Sequence, residues 1–227
     1  MTVVVLIPAR GGSKRIPKKN IKDFLGVPAI CHTHNVITKA LGSVRTVVST
    51  DSGEIAEIAL RAGLEVIERD ANLADEMTGL LEVVISELDH ILQLWQDTTV
   101  IACVLPTALL LSPDSLSIAV NQARREPLDF IVSIGRYKTP VQRSLRLNSS
   151  GKMEMTSPDL YLSRSQDLER RYFDVGHFYV GSVEAWRQRV TMFNPPFSPI
   201  MIEDWRAHDI DVEADWALAE TLWSTLA

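Results

Sequence analysis

Apolar residues in this chain come in two rhythms. Val3–Ile7 reads "VVVLI", a continuous β-branched and aliphatic run that predicts a parallel strand covered on both faces. Arg45–Thr50, Leu64–Arg69, Thr99–Leu105 and Asp129–Gly135 predict four more short strands. Between them lie segments of helical length and spacing: Pro28–Leu41, with a proline at its start, Asp51–Gly63, with acidic residues first and a glycine stop, the amphipathic Thr78–Trp95, and Ser112–Glu126. Strand and helix alternate with short connections, which predicts βαβ units and a mostly parallel sheet with helices on both faces. Ligands of such sheets bind outside the carboxyl ends of the strands. The loops beginning at Pro8, Ser49, Glu68, Pro106 and Gly135 are therefore the ones to inspect.

After Gly135 the alternation stops. From about Arg136 to Phe173 apolar runs are few and polar and basic residues many, with a hairpin predicted over Arg146–Met155 around Ser150-Gly151. A long irregular stretch in a compact domain is usually functional or disordered, so this insertion reads as a lid or dimerisation arm. The α/β rhythm returns with strands at His177–Gly181, Ser198–Glu203 and His208–Val212, a helix at Val183–Val190 and a last helix from Glu213. The 227 residues fit a single domain, 1–227, carrying the insertion at 136–173.

Composition narrows the function. A formal charge of −6 argues against a general nucleic-acid binder. No apolar run reaches the length of a membrane span, and the first residues lack the pattern of a signal peptide, so a cytoplasmic location is expected. Cys31 and Cys103 have no C-x-x-C spacing and read as buried free thiols. The histidines show no metal-ligand spacing.

Against the acidic background, "PARGGSKRIPKKN" (Pro8–Asn20) packs Arg10, Lys14, Arg15, Lys18 and Lys19 directly after the first strand. Gly11 and Gly12 let backbone amides approach a phosphate or take positive φ, and Ser13 offers a hydroxyl. The loop matches neither the Walker A pattern nor G-x-G-x-x-G. Its place at the carboxyl end of a strand makes it an anion site rather than a solvated charge run. Farther on, "HDIDVEADW" sets Asp209 and Asp211 two apart, on one side of a strand if the segment is extended. Two hard oxygen ligands suit Mg²⁺, which keeps waters and borrows phosphate oxygens. The alternative is an acidic edge, or a helix cap at Asp211. Arg164, Gln166, Asp167 and Arg171 could clamp a carboxylated ligand, or simply form surface ion pairs.

Together these motifs resemble the CMP-sialic acid synthetase (acylneuraminate cytidylyltransferase) family. "IPARGGSKRIPKKNI", "VVSTDSGEIAEIA", "ERDANLADEMTGLLEVV" and "DIDVEADW" are similar to its motifs in the same order, over nearly the whole chain. "TPVQRSLRL" and "SRSQDLERRYFDVGHFYVG" most resemble its pseudaminic acid cytidylyltransferases. The resemblance implies a Rossmann-like nucleotide-diphospho-sugar transferase fold, with an arm exchanged between the subunits of a homodimer. It implies that CTP and a nine-carbon nonulosonic acid give a CMP-sugar and pyrophosphate with Mg²⁺. It also implies roles. Ala9, Arg10, Gly11, Gly12, Ser13, Lys14, Asn20, Arg69 and Thr78 would meet the nucleotide. Lys19, Arg10 and Asp211 would be catalytic. Asp209 and Asp211 would hold the metal. Arg143, Arg164, Gln166, His177 and Tyr179 would meet the sugar. Arg15 and Lys18 are left facing solvent. The sialic acid enzymes carry "LQPTSPLR" where this chain has "VLPTALLLS", and Leu105 cannot make a glutamine's hydrogen bonds, which argues against N-acetylneuraminate as the acceptor. N-acetylneuraminate, legionaminate and a non-catalytic nucleotide-binding role remain alternatives. The general base is open between Asp211, a metal-bound hydroxide and an arm residue.

Overall fold

The first apolar run folds as β1 (Thr2–Pro8), and its five central residues are buried. The computed structural model describes residues 2–75, 77–126, 129–188, 191–193 and 197–225. The basic loop leads into a small hairpin, β2 (Asp23–Phe24) with β3 (Val27–Pro28), turned by Leu25 and Gly26 at positive φ. There follow α1 (Ala29–Leu41), β4 (Arg45–Thr50), α2 (Gly53–Arg61), β5 (Glu65–Glu68), α3 (Leu80–Leu94), β6 (Thr98–Val104), α4 (Pro113–Ala123) and β7 (Phe130–Arg136). A second hairpin pairs β8 (Leu145–Leu147) with β9 (Met153–Met155). The chain closes with β10 (Tyr172–Ser182), α5 (Val183–Gln188), β11 (Phe197–Met201) and α6 (Glu213–Ser224).

Seven strands form one sheet in the order β11-β7-β10-β6-β1-β4-β5. Neighbours run parallel except at β10, which is antiparallel to both β6 and β7. Helices cover both faces, as the alternation predicts. On one face Val3, Val5 and Ile7 pack with Val36, Ile55 and Leu116 of α1, α2 and α4. On the other Val4 and Leu6 pack with Val84 and Leu88 of α3 and Trp186 of α5. That two-sided burial is why β1 needs no polar alternation; each such side chain contributes roughly 1.5–3 kcal/mol.

A third cluster positions the functional loops. Ile16 from the basic loop, Phe24, Leu109, Leu110, Ile210 and Trp216 pack together at the carboxyl ends of the central strands. Ile16 and Ile210 are 0% and 1% exposed, so each anchors a charged segment by one apolar residue.

Several boundaries differ from expectation. The strand expected at His177–Gly181 starts at Tyr172, because Gly176 (φ 71) and a register shift between Asp174 and Tyr179 break its alternation without ending it. His208–Val212 is not a strand. Asp215, in the first turn of α6, instead reaches back to accept from the Asp211 and Val212 amides at 2.9 Å each, so the N-cap is Val212 and not Asp211. The hairpin expected around Ser150-Gly151 is present, with Gly151 at φ 76. The last two residues of the helix expected to Val190 lie outside the described residues. Between β7 and β10 the chain also makes three single 3₁₀ turns, at Val141–Arg143, Pro158–Leu160 and Ser165–Asp167. No helix among the described residues is long and apolar enough to cross a membrane.

Candidate active site

The carboxyl ends of β1, β5 and β6 open into a cavity of about 290 Å³. Four cations of the basic loop line it: Arg10, Lys14, Arg15 and Lys19, with Ser13 and Asn20 beside them. The loop is held from several sides. Asn20 Nδ2 donates to the Arg10 carbonyl at 2.9 Å, and Gly11 N–H donates to Asp51 Oδ1 at 2.8 Å. A Cβ on Gly11 would stand 3.0 Å from the Ser52 Cβ, so this glycine serves close packing against the β4–α2 turn. Neither Gly11 nor Gly12 takes a positive φ, and the Gly11 amide is already spent on Asp51. Of the two glycines, Gly12 is the one with open space around it.

Arg15 does not simply face solvent. Its Nη1 lies 2.6 Å from Asp211 Oδ2, while Lys19 Nζ lies 3.6 Å from Asp211 Oδ1 and donates to the Ile210 carbonyl. Lys18 does point away from the cavity, pairing with Glu54 at 2.7 Å. Asp211 is the one acid among the lining residues described. Asp209 and Asp211 flank the buried Ile210. Partial burial, then the neighbouring Asp211 charge, hold the Asp209 carboxyl above its ordinary range, although Lys19 opposes this. The two carboxylates are thus electrostatically coupled even though no strand aligns them. Two crowded hard oxygens fit a magnesium ion that completes its shell with water and substrate phosphate. No set of three or more such side chains among the described residues could hold a metal by itself.

The other end of the cavity is less polar: Leu80, Val83, Leu105 and Pro106 line it together with Arg69, Thr78 and Thr107. Asp75 shapes this rim. It accepts from the Thr78 hydroxyl and amide at 2.7 Å each and from the Met77 amide at 2.9 Å, which lowers its carboxyl below the usual range. Its carbonyl accepts from Arg10 Nη1 at 3.2 Å, joining the rim to the basic loop.

A cationic cleft at the carboxyl edge of a parallel sheet, with one aspartate of a coupled pair on its wall, suits a polyphosphate. Comparison with known proteins decides the family. The cytidylyltransferase family model matches residues 4–192. The chain belongs to the cytidylyltransferase family. It is 36% identical to a pseudaminic acid cytidylyltransferase of Campylobacter jejuni subsp. jejuni serotype O:2, covering 98% of this chain and 97% of that one. It is 28% identical to a CMP-N,N'-diacetyllegionaminic acid synthase of Legionella pneumophila subsp. pneumophila, covering 98% and 96%. Among solved structures, CMP:2-keto-3-deoxy-manno-octonic acid synthetase complexed with CTP superposes with a TM-score of 0.71 at 15% identity, covering 100% of both chains, a likeness of fold.

In this cytidylyltransferase the residues expected to meet the sugar are not gathered on the cavity. Arg143, Arg164 and Gln166 are exposed on the segment between β7 and β10, with Arg143 Nη2 donating to the Ser163 carbonyl at 2.6 Å. Tyr179 is 5% exposed and gives its hydroxyl to Asp174; burial, then Asp174, push its phenol up. His177 is 2% exposed and neither ring nitrogen makes a side-chain hydrogen bond of good geometry among the described residues. Burial pushes its pKa down to about 4, so the ring is neutral. Ala9 is fully buried and sends its amide to the Ser49 carbonyl at 2.9 Å, a backbone role rather than a lining one.

Sequence reasoning marked the loop at Pro106 but missed the apolar wall that Leu80 and Val83 make with it, and the three acids Asp51, Asp75 and Asp174. The short polar side chains that bond their own turn, as Asp75 does, leave an "ADEMT" signature that could have been read. The others depend on contacts between distant segments.

Proposed function

We propose that this cytidylyltransferase activates a nine-carbon 2-keto sugar acid, pseudaminic acid, with CTP, giving the CMP-sugar and pyrophosphate. The observation that carries the reading is the cavity in which Arg10, Ser13, Lys14 and Lys19 face the Asp211 carboxylate beside an apolar corner. The pseudaminic acid cytidylyltransferase of Campylobacter jejuni, at 36% identity over nearly the full length, supports the acceptor.

In this reading the anomeric hydroxyl oxygen of the sugar attacks the α-phosphorus in line. The new O–P bond forms as the bond to the bridging oxygen of pyrophosphate breaks, and the hydroxyl proton passes to a base. The chain's task is to position both partners and to stabilise spreading charge. Lys19 is held by the Ile210 carbonyl and stands at 17% side-chain exposure, so its ammonium works in a poorly screened place on the α-phosphate or the leaving group. Arg10, Lys14 and Ser13 hold the outer phosphates. Asn20 fixes the loop through the Arg10 carbonyl. Asp209 and Asp211 would hold Mg²⁺, which supplies charge neutralisation between the phosphates. Arg15, now on Asp211, is then free to turn to the nucleotide.

A homodimer fits the segment between β7 and β10, where Leu145, Leu147, Met153, Tyr161 and Leu162 are all exposed and apolar. A partner's surface over this segment would also bring Arg143, Arg164 and Gln166 beside a sugar. A cytoplasmic location goes with two unpaired cysteines.

The test is pyrophosphate release from CTP with a panel of keto-sugar acids: pseudaminate, legionaminate, N-acetylneuraminate and a 3-deoxy-octulosonate. Pseudaminate gives the highest kcat/KM in this account. A higher value with any of the others overturns the acceptor assignment, and CTP binding without turnover on any acceptor overturns the catalytic one.

A further inference from the structure

A buried ionic chain runs behind the apolar end of the cavity. Glu87, on α3, is 2% exposed, and Ser49, at the end of β4, is 0% exposed. The Ser49 hydroxyl donates to Glu87 Oε1 at 2.8 Å and accepts from Arg69 Nε at 3.0 Å. Arg69 Nη2 donates to the Ser49 carbonyl at 2.8 Å, and Ala9, which opens the basic loop, donates to that same carbonyl. Glu87 Oε2 meets His90 Nδ1 at 3.2 Å. Arg69 is itself 5% exposed, yet it lines the cavity.

A carboxylate at this depth is costly unless its charge is answered. Among the described residues the permanent cation within its chain of bonds is Arg69, reached through one hydroxyl, while His90 is a cation only when protonated. The Nε/Nη2 edge of the guanidinium is thereby fixed, and among the described residues nothing takes Nη1. A guanidinium fixed this way can only donate. Cytosine offers two adjacent acceptors, O2 and N3, to such a donor; uracil offers O2 beside an N3–H that repels it.

We propose that Glu87 is a positioning residue for the nucleotide base: acting through Ser49, it fixes the fork of Arg69 so that the site takes cytosine over uracil. The inference rests on the nucleotide site proposed above and adds the residues that set its selectivity. The same Ser49 carbonyl links the fork to the start of the basic loop, so base and phosphate recognition share one anchor.

The test is calorimetric titration of CTP and UTP into the wild type, Glu87→Gln, Ser49→Ala, Arg69→Lys and the Glu87→Gln/Arg69→Lys double variant, with a melting curve for each. Glu87→Gln keeps the shape and removes the charge. It should weaken CTP about tenfold and UTP by much less, so that selectivity falls. Arg69→Lys should do the same, and the two changes together should cost little more than either alone. Should Glu87→Gln fail to fold, Ser49→Ala carries the test. If Arg69→Lys leaves CTP affinity unchanged, the nucleotide site itself is misplaced. If Arg69→Lys weakens CTP while Glu87→Gln and Ser49→Ala do not, the positioning role is wrong. Equal losses for CTP and UTP also overturn it, since they mark a merely structural effect.

Discussion

His177 makes the stability of this enzyme depend on pH in a way that can be measured. The ring is buried, neither nitrogen has a hydrogen bond of good geometry among the described residues, and burial lowers its pKa from 6.5 to about 4. The backbone of His208 opposes that shift in part, and the nearby Arg206 and His208 charges reinforce it. In the unfolded chain the ring takes a proton near pH 6.5; in the folded chain it does not until about 4. The folded-state pKa is depressed, so the contribution is intact above 6.5 and is lost as pH falls toward 4. At 1.36 kcal/mol per pH unit the full loss is roughly 3 kcal/mol, of which about 2 kcal/mol falls between pH 7 and 5. His32, His34 and His208 are lowered by burial as well and act with the same sign, so the isolating perturbation is His177→Leu. Urea unfolding followed by tryptophan fluorescence at pH 7 and pH 5 reads the difference. The variant should lose about 2 kcal/mol less than the wild type over that interval. Equal losses would refute the claim that this histidine is held neutral by burial.

Three further outcomes follow from the site and the core. Lys19→Ala should lower kcat at least about tenfold, or roughly 1.4 kcal/mol, in a steady-state pyrophosphate assay, and Asp211→Ala should do likewise; near-normal rates would remove both from the chemistry. Chelation with EDTA should abolish turnover and added Mg²⁺ restore it, with Asp209→Asn raising the magnesium concentration needed for half-maximal rate. Gly181→Ala should cost about 1–3 kcal/mol in chemical unfolding. A Cβ there would stand 2.9 Å from the ring of Phe130, which is fully buried and packed edge-on to Trp186 at 4.7 Å, so the ring cannot step aside.

How much of this was legible in the sequence depends on how local each cause is. β1, β6 and β7 were plain because strands covered on both faces are largely apolar. β10 was cut short because Asp174, Gly176 and His177 interrupt its pattern, while its true length is set by pairing with β6 and β7. The aspartate pair was found for a reason that proved incomplete. The alternation around Ile210 comes from one isoleucine anchored in the third cluster and not from a strand. The basic loop was legible from charge density and position, yet the pairing of Arg15 was not, since its partner Asp211 lies far along the chain. Glu87 was invisible for the opposite reason. A glutamate in an amphipathic helix normally reads as solvated, and only the fold brings Ser49 and Arg69 over it.

The central claim is cytidylyl transfer at the β1 loop, and its most direct measurement is product stoichiometry. CTP, Mg²⁺ and pseudaminate are incubated with the enzyme, and pyrophosphate and CMP-sugar are quantified together by phosphorus NMR and mass spectrometry. The account predicts one pyrophosphate for each CMP-sugar, with neither formed when the acceptor is omitted. Release of CDP and phosphate, or CTP bound and left intact with every nonulosonic acid, would contradict it.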